Sequence, residues 1–276
     1  MNIGLSTFPT AYSISPVDLG IEAEARGFDS LWTVEHTHIP TSRLTPYPLG
    51  GDLPSIYWES YEPFTYLAQV AAVTKNLKVG TGVCLAAQHH PLALAKRVAS
   101  LDVLSGGRFL FGVGAGWVVE EMQNHGFEFS DRWKLLRECI LAMQACWTEK
   151  DAEFHGEFID FDPVWVEPKP ISQPHPPVYI GANSTWAMER IAEYAQGWYP
   201  VETPEFDERL AQLNEACAAR GRAISDIDIT LITAIADAGQ LDHWQDKGVN
   251  RIVLSLPTAD RDESLRTLDG YAHLLS

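Results

Sequence analysis

Residues 104–117, LSGGRFLFGVGAGW, place a short apolar run between two groups of glycines. The run Arg108–Gly114 is nearly continuous in apolar residues, as expected for a strand of a parallel sheet that is covered on both faces. Gly106 and Gly107 precede it and are typical of the left-handed residues that end a helix. The segment therefore predicts the end of a helix, a buried strand, and a glycine-rich connection after that strand.

The same unit recurs along the chain, where eight apolar runs alternate with helical patterns. The predicted strands are Asn2–Phe8, Ser30–Glu35, Lys78–Cys84, Arg108–Gly114, Val178–Gly181, Gly197–Val201, Asp228–Ala234 and Arg251–Leu256. The predicted helices are Val17–Arg26, Pro63–Lys75, Leu92–Leu104, Trp133–Trp147, Thr185–Ala195, Glu205–Arg220 and Glu263–Leu274. Glycines at the joints before strands, including Gly27, Gly197 and Gly248, favour left-handed helix caps.

This alternation is typical of repeated βα units around a parallel sheet. We predict one domain over residues 1–276, with an α/β fold closed as a (β/α)8 TIM barrel, although eight strands also suit a doubly wound sheet. Two longer segments interrupt the alternation of predicted strands and helices. The proline-rich segment Ile39–Glu62 predicts a loop at the barrel mouth, and EFHGEFIDFD within Asp151–Pro177 predicts a small hairpin.

Charge and composition narrow the classes of partner that the protein can bind. The chain has 37 acidic and 20 basic residues, a formal charge of −17 that repels nucleic acid and anionic membrane surfaces. No stretch has the roughly 18 apolar residues of a membrane span. We expect a cytoplasmic protein with a small-molecule substrate, no nucleic-acid partner and no membrane partner, for which a homodimer is one candidate assembly.

A metal site is not expected. Cys84, Cys139, Cys146 and Cys217 show no C-x-x-C pairing and are predicted to be reduced and buried. The His36-x-His38 spacing suits two imidazoles on one ion, but the later strand ends offer no further histidine.

Candidate site residues follow the predicted strands. His36, next to Glu35, could bond a cofactor ring or exchange a proton, or it could simply bond its own loop. Thr81, Gly82 and Val83 could let a planar ring approach the backbone, or could form a tight strand end. Glu120 and Glu121 are interpreted as a solvated helix start.

Two further strand ends carry small residues. Gly112-x-Gly114-x-Gly116 resembles an incomplete dinucleotide fingerprint, so we infer exposed amides at Gly114, Ala115 and Gly116, with Trp117 as a ligand wall or as packing. The run Gly181, Ala182, Asn183 and Ser184 leads from a strand into a helix. Its amides could bind a phosphate, although an ordinary N-cap explains the same residues.

The chain resembles the luciferase-like monooxygenase superfamily, particularly the branch that uses coenzyme F420. The most specific segment is residues 89–140, and EARGFDSLWTVEHTHIP, LKVGTGVCLA and PPVYIGANS support it. The resemblance spans about the first three quarters of the chain. It implies a barrel that holds a flavin or deazaflavin ring at the C-terminal ends of its strands.

The resemblance also implies roles for residues. Glu35 and His36 match an acidic residue and a histidine near the ring, and Gly82 and Val83 match a bulge, often with a non-prolyl cis peptide, behind the ring. The segment Gly114–Trp117 matches the strand end beside the cofactor, and Gly181–Ser184 matches a phosphate contact. Sugar-phosphate dehydrogenase members often have an acidic residue where this chain has Trp117, which argues against that activity.

The resemblance therefore implies hydride transfer between F420 and a small organic substrate, with His36 as the proton donor or acceptor. Two alternatives remain open: an FMN-dependent monooxygenase and a non-catalytic flavin-binding barrel. His36 is expected to matter more to turnover than to folding.

Overall fold

A computed structural model describes residues 1–235 and 237–275 and contains a closed parallel barrel. Its strands are β1 (Asn2–Thr7), β2 (Ser30–Thr33), β3 (Lys78–Thr81), β4 (Phe109–Val113), β7 (Val178–Ile180), β8 (Gly197–Trp198), β9 (Asp228–Ile232) and β10 (Arg251–Ser255). The order around the barrel is β1, β10, β9, β8, β7, β4, β3, β2. The (β/α)8 prediction is confirmed, and a doubly wound sheet is excluded because each of these eight strands pairs with two neighbours, which leaves no edge strand.

Helices surround the barrel. They are α1 (Pro16–Arg26), α2 (Ile56–Glu59), α3 (Pro63–Val73), α4 (Pro91–Ser105), α5 (Val119–Asn124), α6 (Arg132–Thr148), α7 (Thr185–Tyr194), α8 (Phe206–Ala219), α9 (Ala238–Asp246) and α10 (Arg261–Tyr271). Each of the seven predicted helices is present, with ends that differ by a few residues. The apolar and polar patterns of the sequence did not predict α2, α5 or α9.

Apolar side chains form two layers. One large cluster joins the outer faces of the strands to the surrounding helices, as in Leu31 and Leu94. A small cluster of residues from the strands and from the end of β8 fills the barrel itself: Trp32, Leu110, Tyr179, Tyr199 and Val253. The Trp32 and Tyr199 rings stack with centroids 4.6 Å apart. The barrel interior is therefore packed, and the space for a ligand lies above it, at the strand ends.

The local predictions have mixed outcomes. Gly27, Gly106 and Gly248 adopt positive φ after helices, as predicted. The prediction for Gly197 was wrong, because this residue lies within β8 and a Cβ there would come within 2.0 Å of the Tyr179 ring. Gly197 serves close packing inside the barrel rather than a helix cap.

The second insertion contains the predicted hairpin, formed by β5 (Ala152–His155) and β6 (Asp160–Val164) as an antiparallel pair. The four cysteines are buried free thiols, as expected. Within residues 1–235 and 237–275, none of the helices combines the length and apolar character needed to cross a bilayer.

Candidate active site

His36 lies just beyond the C-terminal end of β2 and is held by a buried carboxylate. Its Nδ1 lies 2.8 Å from Oε2 of Glu121, and the two side chains are only 6% and 0% exposed. The other carboxylate oxygen of Glu121 accepts a hydrogen bond from the backbone N–H of Thr37 at 3.1 Å. If the carboxylate accepts Nδ1–H, the ring is fixed in one orientation and Nε2 is left to exchange a proton.

Glu120 and Glu121 lie in the first turn of α5, as predicted, but the prediction that they are solvated was wrong for Glu121, which is fully buried. Glu121 lies on the inner side of α5 and holds His36, while Glu120 holds the mouth insertion. Glu120 accepts hydrogen bonds from the backbone N–H groups of Leu44 and Thr45 and from the Thr45 hydroxyl. Desolvation opposes ionisation, but these bonds outweigh it and lower the pKa of Glu120 to about 2.

Aromatic side chains from the insertion and from the connection after β4 cover His36. Tyr57 lies 5.4 Å from His36 between ring centroids, and Trp117 lies 5.8 Å from His36. Tyr47 contacts both Tyr57 and Trp117. The segment 39–62 therefore packs onto the end of the barrel, as its predicted role as a mouth loop requires. Trp117 is a half-buried part of this aromatic cluster, so its position suits both a ligand wall and packing.

Val83 connects three strand ends. The Gly82–Val83 peptide is cis, as the resemblance implied. A Cβ on Gly114 would lie 2.7 Å from the Val83 side chain, and a Cβ on Gly181 would lie 2.4 Å from it. Glycine at both positions therefore lets the ends of β4 and β7 close around Val83, which remains partly exposed. The structure thus brings Gly82, Val83, Gly114 and Gly181 together.

The remaining predicted site residues at the ends of β3 and β4 differ in their burial and contacts. Thr81 is buried, and its hydroxyl donates to the Gly112 carbonyl at 2.7 Å. The expectation of an exposed amide is wrong for Gly114, whose N–H donates to the Cys84 carbonyl at 2.9 Å, and Ala115 is buried. Gly116 is partly exposed and adopts a φ of 80° that favours glycine. Direct cofactor contact by these residues stays a prediction.

The predicted phosphate segment lies at the start of α7. Ser184 occupies the N-cap position, but its side chain makes no capping hydrogen bond. Asn183 donates its side-chain amide to the Val201 carbonyl at 2.6 Å, and Ala182 accepts from the Trp198 indole at 2.9 Å. The Arg209 guanidinium donates to the Asn183 carbonyl at 3.0 Å and adds a positive charge beside the segment. The helix start therefore retains N–H groups without a side-chain cap.

Glu35 belongs to a second carboxylate and histidine pair, which sequence reasoning missed. Its carboxylate accepts from the Leu85 N–H at 2.6 Å and lies 2.9 Å from Nε2 of His89. Burial opposes ionisation, but His89 and these hydrogen bonds lower the pKa of Glu35. His89 lies in the connection between β3 and α4, so nothing in its local pattern identified Glu35 as its partner.

Glu35, Cys84 and His89 also place possible metal ligand atoms within 4.8 Å of one another. Burial and the adjacent Glu35 charge raise the pKa of the Cys84 thiol well above its usual value. A metal-binding cysteine is a thiolate, which this environment opposes. The contacts therefore favour a hydrogen-bonded network that joins β2 to the β3 end.

A separate cavity of about 520 Å3 opens over the ends of β8, β9 and β10. Its lining includes Val201, Glu202, Thr233 and Ser255. Sequence reasoning assigned no role to these residues, because they carry none of the patterns that marked the other strand ends. They line an open space at the mouth end of the barrel.

Comparison with known protein sequences identifies relatives that match the whole chain and relatives that match part of it. An uncharacterized protein of Mycobacterium tuberculosis strain H37Rv is 36% identical over 100% of this chain and 99% of its own length. An FMNH2-dependent dimethylsulfone monooxygenase of Pseudomonas putida is 30% identical, over 59% of this chain and 46% of the relative.

Solved structures share the fold. Monooxygenase RslO1 from Streptomyces bottropensis has a TM-score of 0.79 at 23% identity, covering 100% of this chain and 99% of that one. The coenzyme F420-dependent tetrahydromethanopterin reductase of Methanopyrus kandleri has a TM-score of 0.75 at 15% identity, covering 98% and 97%. At these identities the likeness concerns the fold.

The sequence model of the luciferase-like monooxygenase family matches residues 15–264, which include every strand end described above except that of β1. This match extends beyond the first three quarters of the chain, which the sequence resemblance spans. It supports an enzyme of the oxidoreductase class. The chain therefore belongs to the luciferase-like monooxygenase family.

Proposed function

We propose that this protein is an F420-dependent oxidoreductase that transfers hydride between the deazaflavin coenzyme and a small organic substrate. The observation that carries the proposal is the His36–Glu121 pair, which is buried at the strand ends beneath aromatic side chains. The GVGAGW segment, which resembles the F420 branch, and the fold shared with an F420-dependent reductase give further support.

The residues at the mouth fit a cofactor with a planar ring and a phosphate. Val83 and the glycines around it offer an apolar surface with bare backbone on both sides. In the segment Gly181–Ser184, the Gly181 N–H is bonded to the Val113 carbonyl at 2.9 Å, so the uncapped helix start after it would supply the N–H donors to a phosphate. In this proposal Val83, Gly114–Trp117 and Gly181–Ser184 hold the coenzyme, which supplies the hydride chemistry when bound.

The chain itself supplies orientation and proton movement. Glu121 fixes the His36 ring through Nδ1, so Nε2 can give a proton to a substrate oxygen or take one from it. Tyr57 and Trp117 shield His36 from water on the side of the insertion. The cavity beside Val201 and Thr233 provides room for a small substrate. We place the protein in the cytoplasm and expect no nucleic-acid or membrane partner.

An FMN-dependent monooxygenase is the second candidate. The P. putida relative, which is named as FMNH2-dependent, favours it. Reduced FMN would supply oxygen activation, which F420 does not. The same mouth residues would hold either ring, so the cofactor itself decides between the two reactions.

The test is a fluorescence titration of the purified protein with F420 and with FMN. We expect F420 to bind more tightly than FMN. Equal or reversed affinities would overturn the F420 assignment in favour of the second candidate. Failure to bind either compound would overturn the proposed function as a whole.

A further inference from the structure

Gln88 is a buried amide that the proposed mechanism does not use. It ends the short helical turn Ala86–Gln88, which follows β3 and therefore lies at the mouth end of the barrel. Its side chain is close to fully buried, with 6% of the residue exposed. Neighbouring Glu35 and His89 are paired with each other, so they do not account for this amide.

Both polar atoms of the Gln88 side chain lack hydrogen-bond partners among the residues described. Neither Oε1 nor Nε2 is bonded, although both are shielded from solvent. A carboxamide offers two donor hydrogens and an acceptor oxygen, and leaving these unpaired in the interior costs the folded protein free energy. A group of this kind calls for an external partner or for a functional explanation.

The amide of Gln88 lies against the connection that follows β4. Nε2 is 3.2 Å from the position that a Cβ on Gly116 would occupy. Gly116 adopts a left-handed φ of 80° in the connection that follows β4. Glycine at this position therefore leaves the amide facing bare backbone in the predicted cofactor segment, between the ends of β3 and β4.

We propose that Gln88 recognises the imide edge of the cofactor ring. Flavin and deazaflavin rings both carry an N–H flanked by two carbonyl groups. A carboxamide can pair with such an edge through one donated and one accepted hydrogen bond. This inference rests on the proposed function, but it does not depend on whether the ring is F420 or FMN.

The test combines apo stability with ligand affinity. In Gln88→Leu we expect the dissociation constants for F420 and FMN to rise about tenfold or more, as expected for the loss of two buried hydrogen bonds. The melting temperature of the ligand-free variant should stay the same or increase, because an unsatisfied polar group has been removed. Gln69→Leu on the exposed face of α3 makes the same chemical change away from the site and should leave affinity unchanged.

A modified ligand isolates the contact itself. FMN methylated at the imide nitrogen cannot donate the hydrogen bond. Wild-type protein should bind this analogue more weakly than FMN, whereas Gln88→Leu should bind the two almost equally. If methylation of FMN weakens binding by the same factor in Gln88→Leu as in the wild-type protein, the inference is overturned.

The outcomes separate this inference from the proposed function. If wild-type protein binds neither cofactor, the proposed function and the role of Gln88 are both overturned. If wild-type protein binds a cofactor and Gln88→Leu binds it equally well, only the role of Gln88 is overturned. Unchanged affinity with lower apo stability would indicate that Gln88 holds a structural water. Gln88→Met, which is also unbranched and apolar, serves the same test if the leucine variant does not fold.

Discussion

Replacement of His36 with asparagine is expected to lower turnover about 100-fold or more while the melting temperature stays close to that of wild type. Loss of a positioned acid or base has an effect of about this size. Asparagine can still offer an amide N–H near the position of Nδ1, so the buried carboxylate of Glu121 keeps a donor. The measurements are turnover with F420 and a small carbonyl compound found by screening, and thermal unfolding of the same preparation.

His36→Ala gives a comparison. It removes both the proton carrier and the donor to Glu121, so it should lower turnover and also lower stability. Turnover near the wild-type level in the folded asparagine variant would remove His36 from the mechanism. Full loss of activity that follows unfolding in both variants would mean that His36 serves only the structure.

Replacement of Glu121 with leucine is expected to lower the free energy of unfolding by about 2–4 kcal/mol, because a buried imidazole donor and a part-buried backbone N–H lose their acceptor. These donors are Nδ1 of His36 and the backbone N–H of Thr37. Turnover should fall as well, since His36 is no longer held in one orientation. Denaturant unfolding and steady-state kinetics on the same protein measure both effects.

Glu121→Gln separates orientation from stability. Glutamine has almost the same shape and keeps an acceptor oxygen, so most of the stability should return. Its amide can also donate to Nδ1, which would favour the opposite ring tautomer and lower kcat about tenfold with little change in KM. Wild-type kcat in this variant would show that Glu121 has no part in positioning His36. The neighbouring Glu120→Gln is the matched control, and it should change neither the His36 contact nor the His36 orientation.

The barrel could be predicted because its local patterns agree with one another. Strands such as β4 are short apolar runs, and helices α1 and α4 end at left-handed glycines. Helix α9 escaped prediction because DAGQLDHWQD has few apolar positions to mark a helical face. Gly197 resembled a helix cap because it follows a helix closely, but the reason for a glycine there is the Tyr179 ring on the neighbouring strand. Such a contact between strands leaves no local pattern.

The candidate site could be predicted only in part. His36 was found because a strand ends just before it, whereas its partner Glu121 is 85 positions away and looked like one of two surface carboxylates. Consecutive residues of a helix point in different directions, so Glu120 can hold the insertion while Glu121 faces the barrel. The unpartnered amide of Gln88 is likewise invisible in sequence, because satisfaction of hydrogen bonds depends on what surrounds the side chain.

The central claim is that the strand ends around Val83 and His36 hold the redox cofactor. A crystal structure of the protein grown with saturating F420 tests it most directly. The account predicts electron density for the ring in contact with Val83 and beside His36, with the phosphate at Gly181–Ser184. Ring density confined to the cavity lined by Val201 and Thr233, or to the outer surface of the helices, would contradict it.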